Sequence, residues 1–189
     1  MDLPEIVPLT EAEWKDCPIP MRYTTEEYYD LETEHTVDGW TVGLKKKHFS
    51  SPVTHTPEEY DFPDRLFEDY RPQAQAWGVV SESGELRACI ETFPEEWSNR
   101  LIVSEMWVAE DLRRRGLGHA LMDLAKERMR REKRRALILE TQSCNVGAIA
   151  CYLSEGFSLI GFDSCCYTNR DRERCEVRLD LGFFPDGEN

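Results

Sequence analysis

The segment Arg113-Arg114-Arg115-Gly116-Leu117-Gly118 has the residue types and spacing to hold a polyanion. It lies between an apolar run ending near Ala109 and a helical pattern starting at Leu117. Amide groups in a helix's first turn have no acceptor within the helix and sit at the positive end of its dipole, where phosphate is stabilised. Glycines at 116 and 118 let a pyrophosphate approach the main chain without meeting a Cβ, and the arginines add charge-assisted hydrogen bonds. The letters match neither a P-loop, which needs Gly-Lys-Ser/Thr, nor the dinucleotide-binding GxGxxG. Alone, RxxGxG is a weak signal. A second candidate is Glu105, flanked by Met106 and Trp107 on an apolar strand. Partial desolvation would raise its pKa and suit it to take a proton, directly or through water; a carboxylate there can equally bind a cation.

The elements that must position these groups follow from hydrophobic period and turn chemistry. EYYDLETEH and WTVGLKKKHF flank Val37-Asp38-Gly39 and read as a hairpin. EEYDFPDRLFEDY reads as a helix at least from Asp64, after two prolines. AWGVVSES and ELRACIETF form a second hairpin around Ser83-Gly84, and RLIVSEMWVA continues the meander. From Leu117, apolar residues at 117, 120, 121, 124, 125 and 129 repeat with helical period, with Lys126, Arg128, Arg130 and Arg131 on the other face. RALILET is a strand, NVGAIACYLSEG a helix closed by Gly156, and FSLIGFDSCCYT and RCEVRLDLGFF two last strands. A meander followed by β-α-β-α and a final hairpin implies a mixed α/β sheet. With no repeats or linkers, residues 1–189 read as one domain.

RxxGxG after an apolar strand, followed by a second strand and an Asn-initiated helix containing Tyr, resembles the GNAT acetyltransferases. LETQSCNVGAIACYLSEGF, residues 139–157, is similar more narrowly to streptothricin acetyltransferases, as are YYDLETE, KKKHFSSPV, RLFEDY and the Trp97 loop before SEMWV. The resemblance covers most of the chain. It implies a mostly antiparallel central sheet, splayed between its fourth and fifth strands and flanked by helices. It also implies transfer of an acetyl group from acetyl-CoA, without a metal, to a primary amine.

Carried onto this sequence, the resemblance has Trp107 and Val108 at the splay, the Val108 main chain meeting the acetyl carbonyl and pantetheine. Arg113, Arg114, Arg115, Gly116, Leu117, Gly118 and His119 would wrap the pyrophosphate. Asn145 would reach the cofactor arm, and Tyr152 would protonate the departing thiolate. Glu105 matches an acidic position of the group. Tyr152 has an alternative as an ordinary helix-face aromatic, and Asn145 also suits a helix N-cap. Glu91, Glu140 and Asp163 lie on other strands and are substrate-side candidates whose register the sequence leaves open.

Charge narrows the partners. The chain carries a net charge of −14, which disfavours nucleic acid. Residues 1–100 hold 22 acidic and 9 basic side chains, whereas Arg113 to Arg135 holds ten basic and three acidic. A basic stretch suits an anion, and the acidic half suits a cationic acceptor such as streptothricin, with a peptide or polyamine amine as the alternative acceptor. A non-catalytic acetyl-CoA-binding module is the reading from another class; Glu105, Asn145 and Tyr152 argue against it. No run approaches ~20 apolar residues and no leader pattern opens the chain. A cytoplasmic protein, monomer or homodimer, off the membrane, is therefore expected. Seven cysteines without CxxC spacing read as reduced thiols, and the four histidines fall in no zinc-ligand spacing with them. Cys165-Cys166 has no assigned role.

Overall fold

The computed structural model describes residues 3–60 and 63–185. In chain order its elements are β1 (Val7–Leu9), α1 (Glu11–Trp14), β2 (Tyr23–Thr36), β3 (Gly39–His55), β4 (Gln75–Val80), β5 (Leu86–Glu95), β6 (Arg100–Val108), α2 (Leu117–Arg131), β7 (Ala136–Gln142), α3 (Val146–Ser154), β8 (Ser158–Asp163), α4 (Asp171–Arg174) and β9 (Arg178–Phe183). They divide into two compact units: Met1–Met21, Phe62–Leu139 and Gly182–Asn189 form the first, Arg22–Asp61 and Glu140–Leu181 the second.

In the first unit β1, β4, β5 and β6 pair antiparallel, and the start of β7 adds to β6 in parallel. The expected hairpin of β4 and β5 is present, with Gly84 at φ +83°. Gly78 is required by packing, because a Cβ there would lie 2.4 Å from the Ala88 carbonyl oxygen. Parallel pairing runs only from Arg100↔Ala136 to Val103↔Leu139, although β6 continues to Val108. Helix α2 buries Leu117, Leu121, Ala125 and Met129 as its period predicts, and Met122 besides, while Ala120 and Leu124 are half-buried.

Two expected polar-face residues, Lys126 and Arg128, are buried instead. Arg128 is 2% exposed, donating to the Thr92 carbonyl and hydroxyl at 2.7 and 2.9 Å and pairing with Glu132 at 2.7 Å. A separate apolar cluster gathers Leu9, Ile19, Leu66, Phe67, Ala76 and Cys89, with Trp107 packed against it.

The expected helix from Asp64 does not form; Asp61 and Phe62 of that stretch lie outside the described residues. Its backbone groups pair elsewhere. Ile19 N donates to the Asp64 carbonyl, Leu66 N to the Cys17 carbonyl, and Asp16 N to the Leu66 carbonyl. Phe67 stands at φ +55° with its amide on the Glu91 carboxylate, which a helical ladder would forbid.

In the second unit β2 and β3 form the predicted hairpin, longer than expected, from Tyr23↔His55 to Thr36↔Gly39. Asn145 Oδ1 caps α3 by accepting from Ala148 N at 3.3 Å, and Gly156 closes the turn beyond it at φ +86°. Two expected strands are shorter than their sequence runs. After Asp163 the chain bends, because Asp163 Oδ1 accepts from Cys165 N and the Asp171 carboxylate collects the amides of Cys166, Tyr167 and Thr168. The last strand begins only at Arg178, after α4. Strand β9 lies between β7 and β8. None of the seven cysteines forms a disulfide. Among the described residues no helix is long and apolar enough to cross a membrane.

Candidate active site

The register of β6 decides where its carboxylate goes. Glu91 of β5 faces Glu105, but Thr92 faces Val103, so Ser104 is an extra residue in β6. Such a β-bulge turns neighbouring side chains out of strict alternation. Ser104 and Glu105 consequently share Glu91 as their cross-strand neighbour: Ser104 Oγ donates to Glu91 Oε1 at 2.7 Å. Glu91 is fully buried and well satisfied, accepting also from Phe67 N at 2.6 Å and Arg71 Nη1 at 2.9 Å. Glu105 is 3% exposed, and Arg71 Nη2 stands 2.8 Å from its Oε1. That contact has ion-pair distance without hydrogen-bond alignment, so the oxygen keeps an unfilled acceptor.

Arg71 is shared more widely. Its Nη2 lies 2.9 Å from Glu68 Oε2, its Nη1 donates to the Arg65 carbonyl at 2.9 Å, and the guanidinium sits over the Tyr70 ring. Asp64 is close enough to act on Glu105 by its charge. Four carboxylates thus surround one guanidinium, and the excess negative charge has a chemical effect. Burial first, then Asp64 and Glu91, push the Glu105 pKa well above 4.5, against the opposing pull of Arg71. Burial likewise raises Asp64. Burial opposes the charge on Arg71, but Glu105 and Glu91 more than compensate and raise its pKa. A carboxylate whose pKa is raised is a better proton acceptor than an ordinary one.

Beyond β6 the chain turns into the basic segment. Arg113 Nε donates to the Val108 carbonyl at 2.9 Å, Arg114 stands at φ +62°, and Gly116, the N-cap of α2, at φ +88°. Gly116 is a glycine for its backbone. At Gly118 a Cβ would meet only Met106 Cε, at an ordinary 3.5 Å. The fold itself therefore leaves room for a Cβ at 118. Leu117 turns its side chain into the core, leaving only its main chain to a ligand, while His119 is exposed and 3.3 Å from Asp123. These features fit a pyrophosphate at a helix N-terminus. Trp107 is half-buried against the apolar cluster.

In the second unit Tyr152 of α3 is 8% exposed, its ring tilted against Phe157 at 6.2 Å. Two substrate-side candidates there are engaged locally: Glu140 pairs with Arg178 at 2.9 Å, and Asp163 holds the bend after β8. Of the four carboxylates singled out in the sequence, Glu91 and Glu105 come together. Sequence reasoning missed Arg71, Asp64 and Ser104. RLFEDY was noticed, but its reading as a helix hid the turn that carries Arg71 inward. A bulge leaves no mark in the sequence of β6.

Residues 44–157 match the model of the acetyltransferase (GNAT) family. The chain belongs to that family, and like its members it is an acetyltransferase that draws on acetyl-CoA. It is 27% identical over 125 residues to streptothricin acetyltransferase A of Bacillus subtilis, covering 61% of this chain and 71% of the relative. It is 32% identical over 89 residues to streptothricin acetyltransferase of Streptomyces lavendulae, covering 47% of each. Among solved structures, nourseothricin acetyltransferase superposes with a TM-score of 0.71 at 25% identity, over 95% of this chain and 97% of that one. A Bacillus anthracis protein described as a streptothricin acetyltransferase, solved with acetyl-CoA, shares the fold at TM-score 0.72 and 18% identity, over 96% and 98% of the two chains.

Proposed function

We propose that this chain moves the acetyl group of acetyl-CoA onto an amine of a cationic small molecule, with streptothricin the first acceptor to try, and that residues 1–189 act as one catalytic domain. The observation that carries the acceptor class is the surplus of carboxylate around one arginine, with Glu91 and Glu105 buried and Asp64 and Glu68 partly buried beside them. A buried site with more anions than cations is costly until a cation enters, and an ammonium group is such a cation. The names of the relatives support streptothricin in particular.

The roles follow from what acyl transfer needs. The amine must be neutral to attack, and Glu105 takes its proton. Acetyl-CoA supplies the thioester whose C–S bond breaks as the C–N bond forms. The Val108 amide polarises the acetyl carbonyl, and Tyr152 gives its hydroxyl proton to the leaving sulfur. Trp107, Arg113 to His119 and Asn145 hold the cofactor, the glycines by main-chain approach and the arginines by charge. Glu91, Glu140 and Asp163, each held in local contacts, are weaker substrate-side candidates than Glu105. Free thiols throughout suit a reducing cytoplasm.

Release of free CoA thiol from acetyl-CoA, measured across streptothricin, other cationic antibiotics, polyamines and peptides, tests the acceptor. Streptothricin is expected to give the highest kcat/KM; a tenfold preference for peptides overturns the antibiotic reading and leaves acetyl transfer intact. Tyr152→Phe is expected to lower kcat by ~10²–10⁴-fold with the cofactor Kd unchanged, and near wild-type kcat returns that residue to a packing role.

A further inference from the structure

Glu91 and Glu105 face each other across the β-bulge, and Arg71 reaches both from the turn that follows Leu66. The guanidinium is not divided evenly. Toward Glu91 it makes an aligned hydrogen bond; toward Glu105 it supplies charge at 2.8 Å without one. Glu91 also holds the Phe67 amide and the Ser104 hydroxyl, so it is fixed on three sides. It acts as the anchor that keeps Arg71 in place.

We propose that Arg71 is a positioning residue for the acetyl transfer: shared between Glu91 and Glu105, it holds and aims the Glu105 carboxylate through its charge, without an aligned hydrogen bond to Glu105 Oε1. This rests on the reading of Glu105 as the group that receives the acceptor amine. Were Arg71 bonded squarely to Glu105, the carboxylate would be a spent, permanently ionised partner. Were Arg71 absent, Glu105 would face Asp64 and Glu91 with no cation, which favours its neutral form further. Glu91 draws the guanidinium into the intermediate arrangement.

Among the described residues, the titratable or charged groups acting on Glu105 are Arg71, Asp64 and Glu91. Glu68 acts through its pairing with Arg71, and the Cys89 thiol, kept neutral by burial, lies beside them on β5. Two substitutions therefore move the ionisation of Glu105 in opposite directions. Removing Arg71 removes its stabilising cation; removing the charge of Glu91 removes a repelling anion and releases Arg71 toward Glu105. A residue that merely supports the fold has no reason to produce opposite signs.

The experiment is the pH profile of kcat/KM for streptothricin at saturating acetyl-CoA, in wild type, Arg71→Met, Arg71→Lys, Glu91→Gln and Glu105→Gln. Arg71→Met is expected to lower kcat roughly 10²-fold, as misplacement of a reacting group does, and to move the acid limb up by about one pH unit or more. Arg71→Lys restores the limb in part, having the charge without the fork. Glu91→Gln moves the limb down. Limbs that stay in place, or shift in the same direction, overturn the proposal even where Glu105→Gln is severely impaired. Wild-type turnover in Glu105→Gln overturns the reading of Glu105 and the proposal with it. If Arg71→Met fails to fold, Glu91→Gln decides alone: a downward shift supports the proposal and an unmoved limb sinks it.

Discussion

Two arginines among the described residues each gather several carboxylates, at least one of them buried, and their surroundings differ in one respect. Arg71, in the first unit, faces Glu68, Glu91 and Glu105, with Asp64 near. Arg174, in the second, has its Nη2 2.6 Å from Glu59 and 2.7 Å from Glu176, and His55 Nδ1 stands 3.0 Å from the same Glu176 oxygen. Burial lowers the His55 pKa, but Cys144 and Glu176 push it up to about 9, so the imidazole is charged at neutral pH. Burial raises the Glu176 pKa, but His55 and Arg174 outweigh it and hold the carboxyl below its usual range. Two carboxylates therefore meet two cations. Each cluster leaves a carboxylate oxygen without a hydrogen bond, Glu105 Oε1 in one and Glu176 Oε2 in the other. An unfilled acceptor alone does not mark a reactive site; unbalanced charge does. A divalent ion beside His55, Glu59 and Glu176 would also have to displace Arg174, which already occupies the cation's place.

The largest effect expected from this contrast is on stability. Arg174→Met leaves Glu59 and the buried Glu176 with His55 alone, and because Arg174 and Glu59 are partly exposed the cost is expected at roughly 1–3 kcal/mol. Thermal melting should show a fall of several degrees, with kcat of the folded fraction nearly unchanged; a large loss of kcat would place Arg174 in the chemistry and break the contrast.

A smaller effect is expected from pH. His55 has its folded pKa raised above 6.5, so its contribution to stability is full below pH 6.5 and lost as pH rises through about 9. The melting temperature should drop by roughly a few degrees over that window, and Glu176→Gln should flatten the drop. Glu105 also has a raised pKa, but its titration is read in activity: kcat/KM should fall on the acid side of a limb lying above pH 4.5.

The glycines offer a third version of the contrast between positions committed to the fold and positions left open. Gly78→Ala forces a Cβ against the Ala88 carbonyl and should destabilise. Gly118→Ala should leave stability unchanged or raise it by up to ~1 kcal/mol, while Gly118→Asp weakens cofactor binding by calorimetry through its negative charge. Unchanged affinity in that variant would move the phosphate site elsewhere. The smallest effect is screening. At saturating acetyl-CoA, kcat/KM for a cationic acceptor should fall by roughly a few-fold as salt shortens the Debye length from ~30 to ~10 Å; no change would confine the acidic half to a solubilising role.

Local signals carried much of this fold into the sequence. Period alone located α2, and Asn145 and Gly156 bounded α3 because caps are local chemistry. The basic turn before Leu117 was legible for the same reason. Asp64 to Tyr70 was not, because its backbone is satisfied by residues near Cys17 and by Glu91, distant in sequence. Arg71 was hidden with it. Glu105 could be chosen from its neighbours and its resemblance to an acidic family position, but its pairing with Glu91 depends on the extra residue at Ser104. Alternation has no way to announce a bulge. The burial of Arg128 under Thr92 was likewise a tertiary override of helical period.

The most direct test sets the two clusters against each other in a single measurement. Glu105→Gln and Glu176→Gln each remove one buried carboxylate charge while keeping its shape, and kcat/KM for streptothricin is compared at saturating acetyl-CoA, with melting temperatures alongside. The account predicts a loss of ~10²-fold or more in Glu105→Gln, and activity within a few-fold of wild type but a lower melting temperature in Glu176→Gln. Equal losses in the two variants, or the greater loss in Glu176→Gln, would contradict it.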